Sequence, residues 1–326
     1  MDELVIDTKH RRKPLVAAFL SFIAFGLGYV YCGKIVKGFV IAFIGAILLP
    51  FISYAILAGF SQVNIEMLNA ILVLSLISLL IWIAVIIDSF LVARKSKPDY
   101  ELKEYNRWYV YVIFYCLIII CANGMTLDFK SNVIEAFRTP TFTMFPNIEH
   151  HDRILANKKA YKKEDPKRGD IIVFVSPENR NEVWCKRVVA IAGDTFEMKD
   201  NQLIINGEKL KREKLYTTTY VDKDINKKDV NVEGKLFVEK NGEVKYEIFL
   251  FDTYDSKKLP DKWPDLKSDF PETKIPKNHC FVLGDNRNLS EDSRQFGPIP
   301  LATVKGRADY LYWPAKDWSR FGPLIK

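Results

Sequence analysis

The sequence predicts a membrane-anchored, mainly-β protein, in which an α-helical transmembrane region precedes an antiparallel β domain that carries an inserted subdomain. Two observations carry this. From Pro14 to Leu127 the chain is almost wholly apolar and aromatic, whereas from Asp128 onward it is rich in Lys, Asp and Glu and broken by Pro and Gly. Within that second half, short apolar runs alternate with turn residues, which is the pattern of strands. At 326 residues the chain has room for both parts.

The first half holds apolar segments at 14–31, 38–60, 67–93 and 108–127. The second and third exceed the ~20 residues that span a hydrocarbon core. The fourth just spans, with Trp108, Tyr109 and Tyr111 as an interfacial belt. The first is short and carries Gly26 and Gly28 near its end. Charge sets the expected orientation. Loop 94–107 holds Arg94, Lys95, Lys97, Lys103 and Arg107 and should be cytoplasmic, whereas 61–66 holds no Lys or Arg. Counting back, a cytoplasmic basic start (1–13) requires 14–31 to be a re-entrant or interfacial helix; a further span would put Arg11, Arg12 and Lys13 outside. Either way, 128–326 is expected on the extracytoplasmic side. Segment 14–60 also resembles a small two-helix membrane module appended to various bacterial proteins, which implies nothing catalytic.

The formal net charge of +7 does not point to nucleic acid, because Lys and Arg gather at membrane edges or mix with acids in 209–240. Membrane lipids with anionic headgroups are the partners such edges suit. Cys32, Cys116 and Cys121 fall in apolar segments, leaving Cys185 and Cys280 in the soluble part; their pairing is open.

In the soluble half, 170–176, 182–193, 194–200, 202–210, 279–285 and 303–314 read as strands. Asn206-Gly207 and Asn241-Gly242 are two-residue hairpin signals. Residues 211–275 are more polar and irregular and read as the insertion.

Three stretches carry chemistry: Thr139-Pro140-Thr141-Phe142-Thr143-Met144-Phe145-Pro146, Cys185-Lys186-Arg187-Val188-Val189, and Gly284-Asp285-Asn286-Arg287-Asn288-Leu289-Ser290-Glu291-Asp292-Ser293-Arg294. A hydroxyl becomes a nucleophile when a base takes its proton, and a lysine serves as base only when neutral. Burial in an apolar strand favours the neutral amine, and Lys186 opens an apolar run. With Pro166-Lys167-Arg168-Gly169-Asp170 and Gly297-Pro298-Ile299-Pro300, these stretches resemble the type I signal peptidases (leader peptidases), membrane-bound proteases of serine type that use a hydroxyl–lysine dyad. The resemblance covers about 137–314 apart from the insertion.

The resemblance implies an endopeptidase that removes signal peptides from secretory precursor proteins at a bacterial inner membrane, with no metal or organic cofactor. It implies Thr143 as nucleophile, Lys186 as base, Thr141 as an oxyanion donor and Ser290 as the hydroxyl that orients the lysine. Asp292 and Arg294 would form a supporting ion pair, with Asp285 shaping the same turn. The chain departs from the family's pattern in five places: Thr143 and Thr141 stand for serines, Phe142 for a small residue, Asn147 for threonine, and His151 for the glycine before Asp152. Phe142 is expected to crowd the pocket, and the Thr143 methyl to restrict its hydroxyl. His150 and His151 read as exposed loop residues rather than a substitute base. A catalytically impaired paralogue that binds precursors or scaffolds a membrane complex is the alternative reading. The sequence is silent on oligomeric state.

Overall fold

In the computed structural model, which describes residues 12–59, 64–96, 104–223, 229–251 and 268–324, Pro14 opens helix α1 (Pro14–Ile23). Proline suits this position because its fixed φ is already helical and its missing N–H has no partner to lose. The helix has 10 residues, about 15 Å of rise. Gly26 then takes φ 85°, and α2 (Leu27–Tyr31) follows. A Cβ on Gly26 would collide with the Gly38 carbonyl, so glycine is needed for both conformation and close approach. Helix α3 (Ile35–Phe43) runs through a π-helical turn, Ile44–Leu48, into α4 (Leu49–Gly59). Helices α5 (Ile65–Arg94) and α6 (Trp108–Asn132) complete this unit.

Ile35–Tyr54 and Ile65–Arg94 are long and apolar enough to cross a bilayer, while Trp108–Ile120 is a shorter apolar helical stretch. Leu72, Leu76, Leu80 and Ile87 of α5 are exposed, as a lipid-facing helix requires. Asp88 ties three helices together, accepting from the Tyr29 hydroxyl at 2.6 Å and from the Lys37 amine at 2.7 Å. Residues 1–11 with Arg11, the 60–63 loop, and Lys97 and Lys103 of the basic loop lie outside the described residues.

The second unit begins at Asn132 apart from a short 61–64 segment. Its strands are β1 (Ile134–Arg138), β2 (Arg153–Asn157), β3 (Ile171–Val175), β4 (Val183–Ile191), β5 (Thr195–Lys199), β6 (Gln202–Ile205), β7 (Glu208–Lys209), β8 (Lys211–Lys223), β9 (Asp229–Asn241), β10 (Val244–Phe251), β11 (Phe270–Lys274), β12 (His279–Leu283), β13 (Ile299–Pro300), β14 (Val304–Trp313) and β15 (Gly322–Pro323), with helix α7 (Ser293–Phe296) before β13. The main antiparallel sheet runs β1-β2-β14-β3-β4-β12-β13, with β15 on β14. A second sheet runs β11-β5-β6-β7 and a third β10-β9-β8. Phe196, Phe281, Val189 and Leu283 belong to one buried cluster, in which Phe196 and Phe281 stack at 4.0 Å.

Within 211–275, read as irregular from its polarity, the described residues form mostly strand. β8 and β9 have 13 residues each, and β11 joins the second sheet by pairing with β5. Tyr220, Val232, Leu236 and Phe249 of the third sheet and its strands share a core with Phe142, Phe145 and Leu289. Of the stretches expected to be irregular, 224–229 and 260–276, residues 224–228 and 260–267 lie outside the described residues, whereas Asp229 opens β9 and Phe270–Lys274 is strand. Cys185 and Cys280 are both free thiols.

Arg287 joins this third sheet to the loop after β12. Its guanidinium donates to both Glu239 oxygens, at 2.5 and 3.0 Å, and Arg212 adds a bond at 2.8 Å. Burial pushes the Glu239 carboxyl up, but the two arginines outweigh it and hold it at about 2. The folded chain therefore gains stability from this group above the ordinary glutamate range and loses it as pH falls toward 2. Glu239→Gln is expected to lower stability at pH 7 by on the order of 3 kcal/mol. It should also flatten the acid limb of the unfolding midpoint, which thermal denaturation of the detergent-solubilised chain between pH 7 and 3 reads directly.

Candidate active site

The stretch 139–147 is a tight turn between β1 and β2, closed by Thr139. Its N–H donates to the Asp152 carbonyl at 2.9 Å, and its hydroxyl donates to the carbonyls of Glu149 and Asp152. Its side chains go opposite ways. Phe142 and Phe145 are buried away from the cleft, whereas Thr141, Thr143 and the buried Met144 line a cleft of about 360 Å³. Phe137, Lys186 and Glu291 line the same cleft. The two threonine hydroxyls lie 3.2 Å apart. Phe142 does not crowd the cleft as its size suggested: its ring packs away, stacked at 4.6 Å on Tyr220, because the third sheet offers it an aromatic partner.

Lys186 sits in β4 opposite Ile172 of β3 and is 4 % exposed. Its amine makes no hydrogen bond or ion pair among the described residues. Burial in these apolar surroundings pushes it down to about 8, so near neutral pH a useful fraction is an uncharged base. The thiol of neighbouring Cys185, which also lines the cleft, is pushed up to about 12 by burial.

The loop after β12 locks this geometry. Asp285 accepts from Arg187 at 2.7 and 2.8 Å and from Asn147 at 2.8 Å, which joins β4, the loop and the 139–147 turn. Asp292 pairs with Arg294 at 2.8 Å, accepts from the Gly284 N–H at 3.0 Å and caps α7. Burial opposes its charge, but Arg294 and the Gly284 N–H prevail and hold the carboxyl below its ordinary value. The Asn286 N–H donates to the Thr143 carbonyl at 3.1 Å.

Ser290 departs from expectation. Its hydroxyl is buried without a hydrogen-bond partner rather than bonded to Lys186. A Cβ on Gly284 would strike both that hydroxyl and the Thr143 carbonyl, so Ser290 is wedged in the seam between Gly284 and the turn. His151 holds φ 69°, the left-handed conformation glycine prefers, which explains why glycine suits that position. Its Nδ1 lies 2.8 Å from Arg138 and its ring stacks on His150, so its contacts are structural.

The match to known families now decides what this arrangement belongs to. Residues 106–313 match the family described as signal peptidase, peptidase S26. The chain belongs to that family. Among its relatives, a signal peptidase I of Pseudomonas fluorescens is 30 % identical over 269 residues, covering 72 % of this chain and 83 % of that protein. A signal peptidase I of Aquifex aeolicus (strain VF5) is 30 % identical over 58 % of this chain and 80 % of its own length. The thylakoidal processing peptidase 1 (chloroplastic) of Arabidopsis thaliana is 29 % identical over 58 % of this chain, which spans 45 % of that longer protein. A crystal structure of a signal peptidase I from Enterococcus faecalis V583 aligns at 27 % identity over 44 % of this chain and 97 % of that one, with a TM-score of 0.25.

The peptidase S26 motifs led to Thr141, Thr143 and Lys186 in one cleft and to Asp285, Asp292, Arg294 and Ser290 behind it. They did not lead to Glu291, which lines the cleft with its carboxyl raised, first by burial and then by Glu178. Asn147, noted only as a departure from the family's box, turns out to join the turn to Asp285 through its side-chain amide. Both lie inside or beside the quoted runs, but only contacts across the chain reveal their roles.

Lys186 has a measurable consequence for stability. Its folded value near 8 lies below the ordinary 10.5, so between these limits the unfolded chain binds more protons and stability rises with pH. Below about 8 the fold carries the full cost of a buried ammonium. Lys186→Met should therefore raise the unfolding midpoint at pH 7, and the gain should shrink to nothing by about pH 10.5. Thermal unfolding of both proteins across this range tests it.

Proposed function

We propose that this chain is a membrane-bound endopeptidase that cleaves N-terminal signal peptides from secretory precursors, with Thr143 as nucleophile and Lys186 as general base. The observation that carries the reading is the placement of a hydroxyl and a desolvated, unpaired lysine in one cleft of a peptidase S26 chain. An extended precursor segment adds alongside the cleft as a strand, the usual mode of recognition at a sheet edge. Lys186 takes the Thr143 proton as its Oγ1 attacks the scissile carbonyl. The Thr141 hydroxyl and the Thr143 N–H stabilise the oxyanion. As the intermediate collapses, the Lys186 ammonium donates the proton to the leaving amine, and the mature protein departs. Lys186 then takes a proton from the water that attacks the Thr143 ester and returns it to the Thr143 oxygen as the ester bond breaks, which frees the signal peptide and restores the neutral amine.

The same reading puts residues 128–326 on the extracytoplasmic side, with α1 and α2 as a re-entrant or interfacial element and the basic ends near Arg94 and Lys95 against anionic lipid. Family membership, the signal peptidase I relatives and a thylakoidal processing peptidase among the relatives support a membrane setting.

Cleavage of a model precursor by the solubilised chain should disappear in Thr143→Ala and in Lys186→Ala. Thr143→Ser should match or exceed the parent, because it keeps the hydroxyl and frees χ1. Cutting by Lys186→Ala at the parent rate would exclude the dyad; activity confined to Thr143→Ser would mark an impaired paralogue. The rate should rise with pH through about 8 as the amine loses its proton. Protease added to intact spheroplasts should remove the β domain and spare 94–107; a protected β domain would refute the topology.

A further inference from the structure

The turn that carries Thr143 is held by more than the residues assigned to the reaction. The Phe142–Thr143 peptide is trans, so its carbonyl and its N–H point in opposite directions in one rigid plane. The Phe142 carbonyl accepts two bonds on its inner side, from the Phe145 N–H at 3.0 Å and from the Asn286 side-chain amide at 3.2 Å. The Thr143 N–H, on the opposite side, donates to nothing among the described residues. It is therefore an open donor whose direction is set by whatever grips the Phe142 oxygen.

Asn286 is fully buried and grips the turn twice, through its backbone N–H on the Thr143 carbonyl at 3.1 Å and its side chain on the Phe142 carbonyl. The same amide nitrogen reaches the Tyr220 hydroxyl at 2.9 Å. Its orientation follows from chemistry, since the amide oxygen turned toward the Phe142 carbonyl would set two acceptors against each other. Tyr220 comes from β8 of the inserted sheet. Its ring stacks on Phe142 at 4.6 Å and lies 4.7 Å from Phe145, so it contacts both aromatic anchors of the turn as well as the amide.

We propose that Asn286 and Tyr220 are positioning residues that fix the Phe142–Thr143 peptide plane and so aim the Thr143 N–H at the oxyanion. The inserted sheet thereby takes part in catalysis without touching substrate. This rests on the reading of Thr143 as nucleophile. A plane free to tilt would misdirect the donor in the transition state while leaving ground-state binding in the cleft intact, so the loss falls on kcat rather than KM.

The test is steady-state cleavage of a model precursor by the full solubilised chain, comparing the parent with Tyr220→Phe, Asn286→Asp and Thr143→Ala, alongside active-site titration and thermal unfolding. Tyr220→Phe keeps the stacked ring and removes the hydroxyl. It should lower kcat about 5-fold, the worth of one hydrogen bond. Asn286→Asp puts an oxygen against the Phe142 carbonyl and should lower kcat about 100-fold, the scale of a misplaced catalytic group. In both, KM should stay within about 2-fold of the parent and the pH profile should keep its midpoint near 8. Parental kcat in both variants, or a loss confined to the fraction of titratable sites with kcat per site unchanged, would overturn the proposal while Thr143→Ala stays inactive. If Thr143→Ala and the parent cut at the same rate, the nucleophile assignment fails and the proposal falls with it.

Discussion

The buried pair between Arg187 and Asp285 is the joint on which the site depends. Both groups are almost completely excluded from solvent, and the guanidinium meets the carboxylate through two bonds. Removing one partner from such a pair costs about 3–5 kcal/mol, because the other charge is stranded. The Arg187–Asp285 pair joins the strand that carries Lys186 to the loop after β12 and, through Asn147, to the turn that carries Thr143. Asp285 is claimed by Arg187, and Asp292, the acid that acts most strongly on Lys186, is claimed by Arg294. Of the carboxylates that act on Lys186, Asp292 is thus already paired, while Glu291 is itself raised by burial and by Glu178. Desolvation then prevails over attraction, and the amine can lose its proton in the working range.

The inserted sheet is a structural partner of the 139–147 turn. Phe142 would be an awkward residue beside a cleft if nothing lay behind it. With Tyr220, Phe249 and Leu236 present it becomes an anchor, and the turn is held from its apolar side as firmly as Asn147 and Asn286 hold it from the polar side. Residue type at 142 and sequence at 220–249 therefore belong to one packing problem. Pairs in direct contact of this kind are where mutational effects cease to add.

Much of this was legible in the chain. The strands at 171–175 and 183–191 announce themselves as apolar runs bounded by turn residues, because they lie in the middle of the main sheet, where 171–174 and 186–190 are buried. The hairpin at Asn206-Gly207 was legible for a local reason: both residues take positive φ. β8 was not, since Leu215, Tyr216 and Val221 are exposed along it and its threonines lack any burial pattern. The Asp292–Arg294 pair lies two residues apart and follows from the motif, whereas Glu239 meets Arg287 across 48 positions and could not. The direction of the Phe142 ring and the isolation of the Ser290 hydroxyl likewise depend on neighbours distant in sequence.

The thiol of Cys185 shows what one patch of desolvation does to two kinds of acid. Losing a proton makes an ammonium neutral but makes a thiol charged, so the surroundings that ready the Lys186 amine silence the sulfur beside it. Thiolates are intrinsically stronger nucleophiles than alcohols, and an ionised sulfur in the cleft would compete for the same carbonyl. Burial holds the Cys185 thiol protonated, which disfavours it as a competing nucleophile. Burial, reinforced by Asp285, thus works against an ionised sulfur in the cleft, and under the proposed mechanism the weaker Thr143 hydroxyl forms the acyl bond as an ester rather than a thioester.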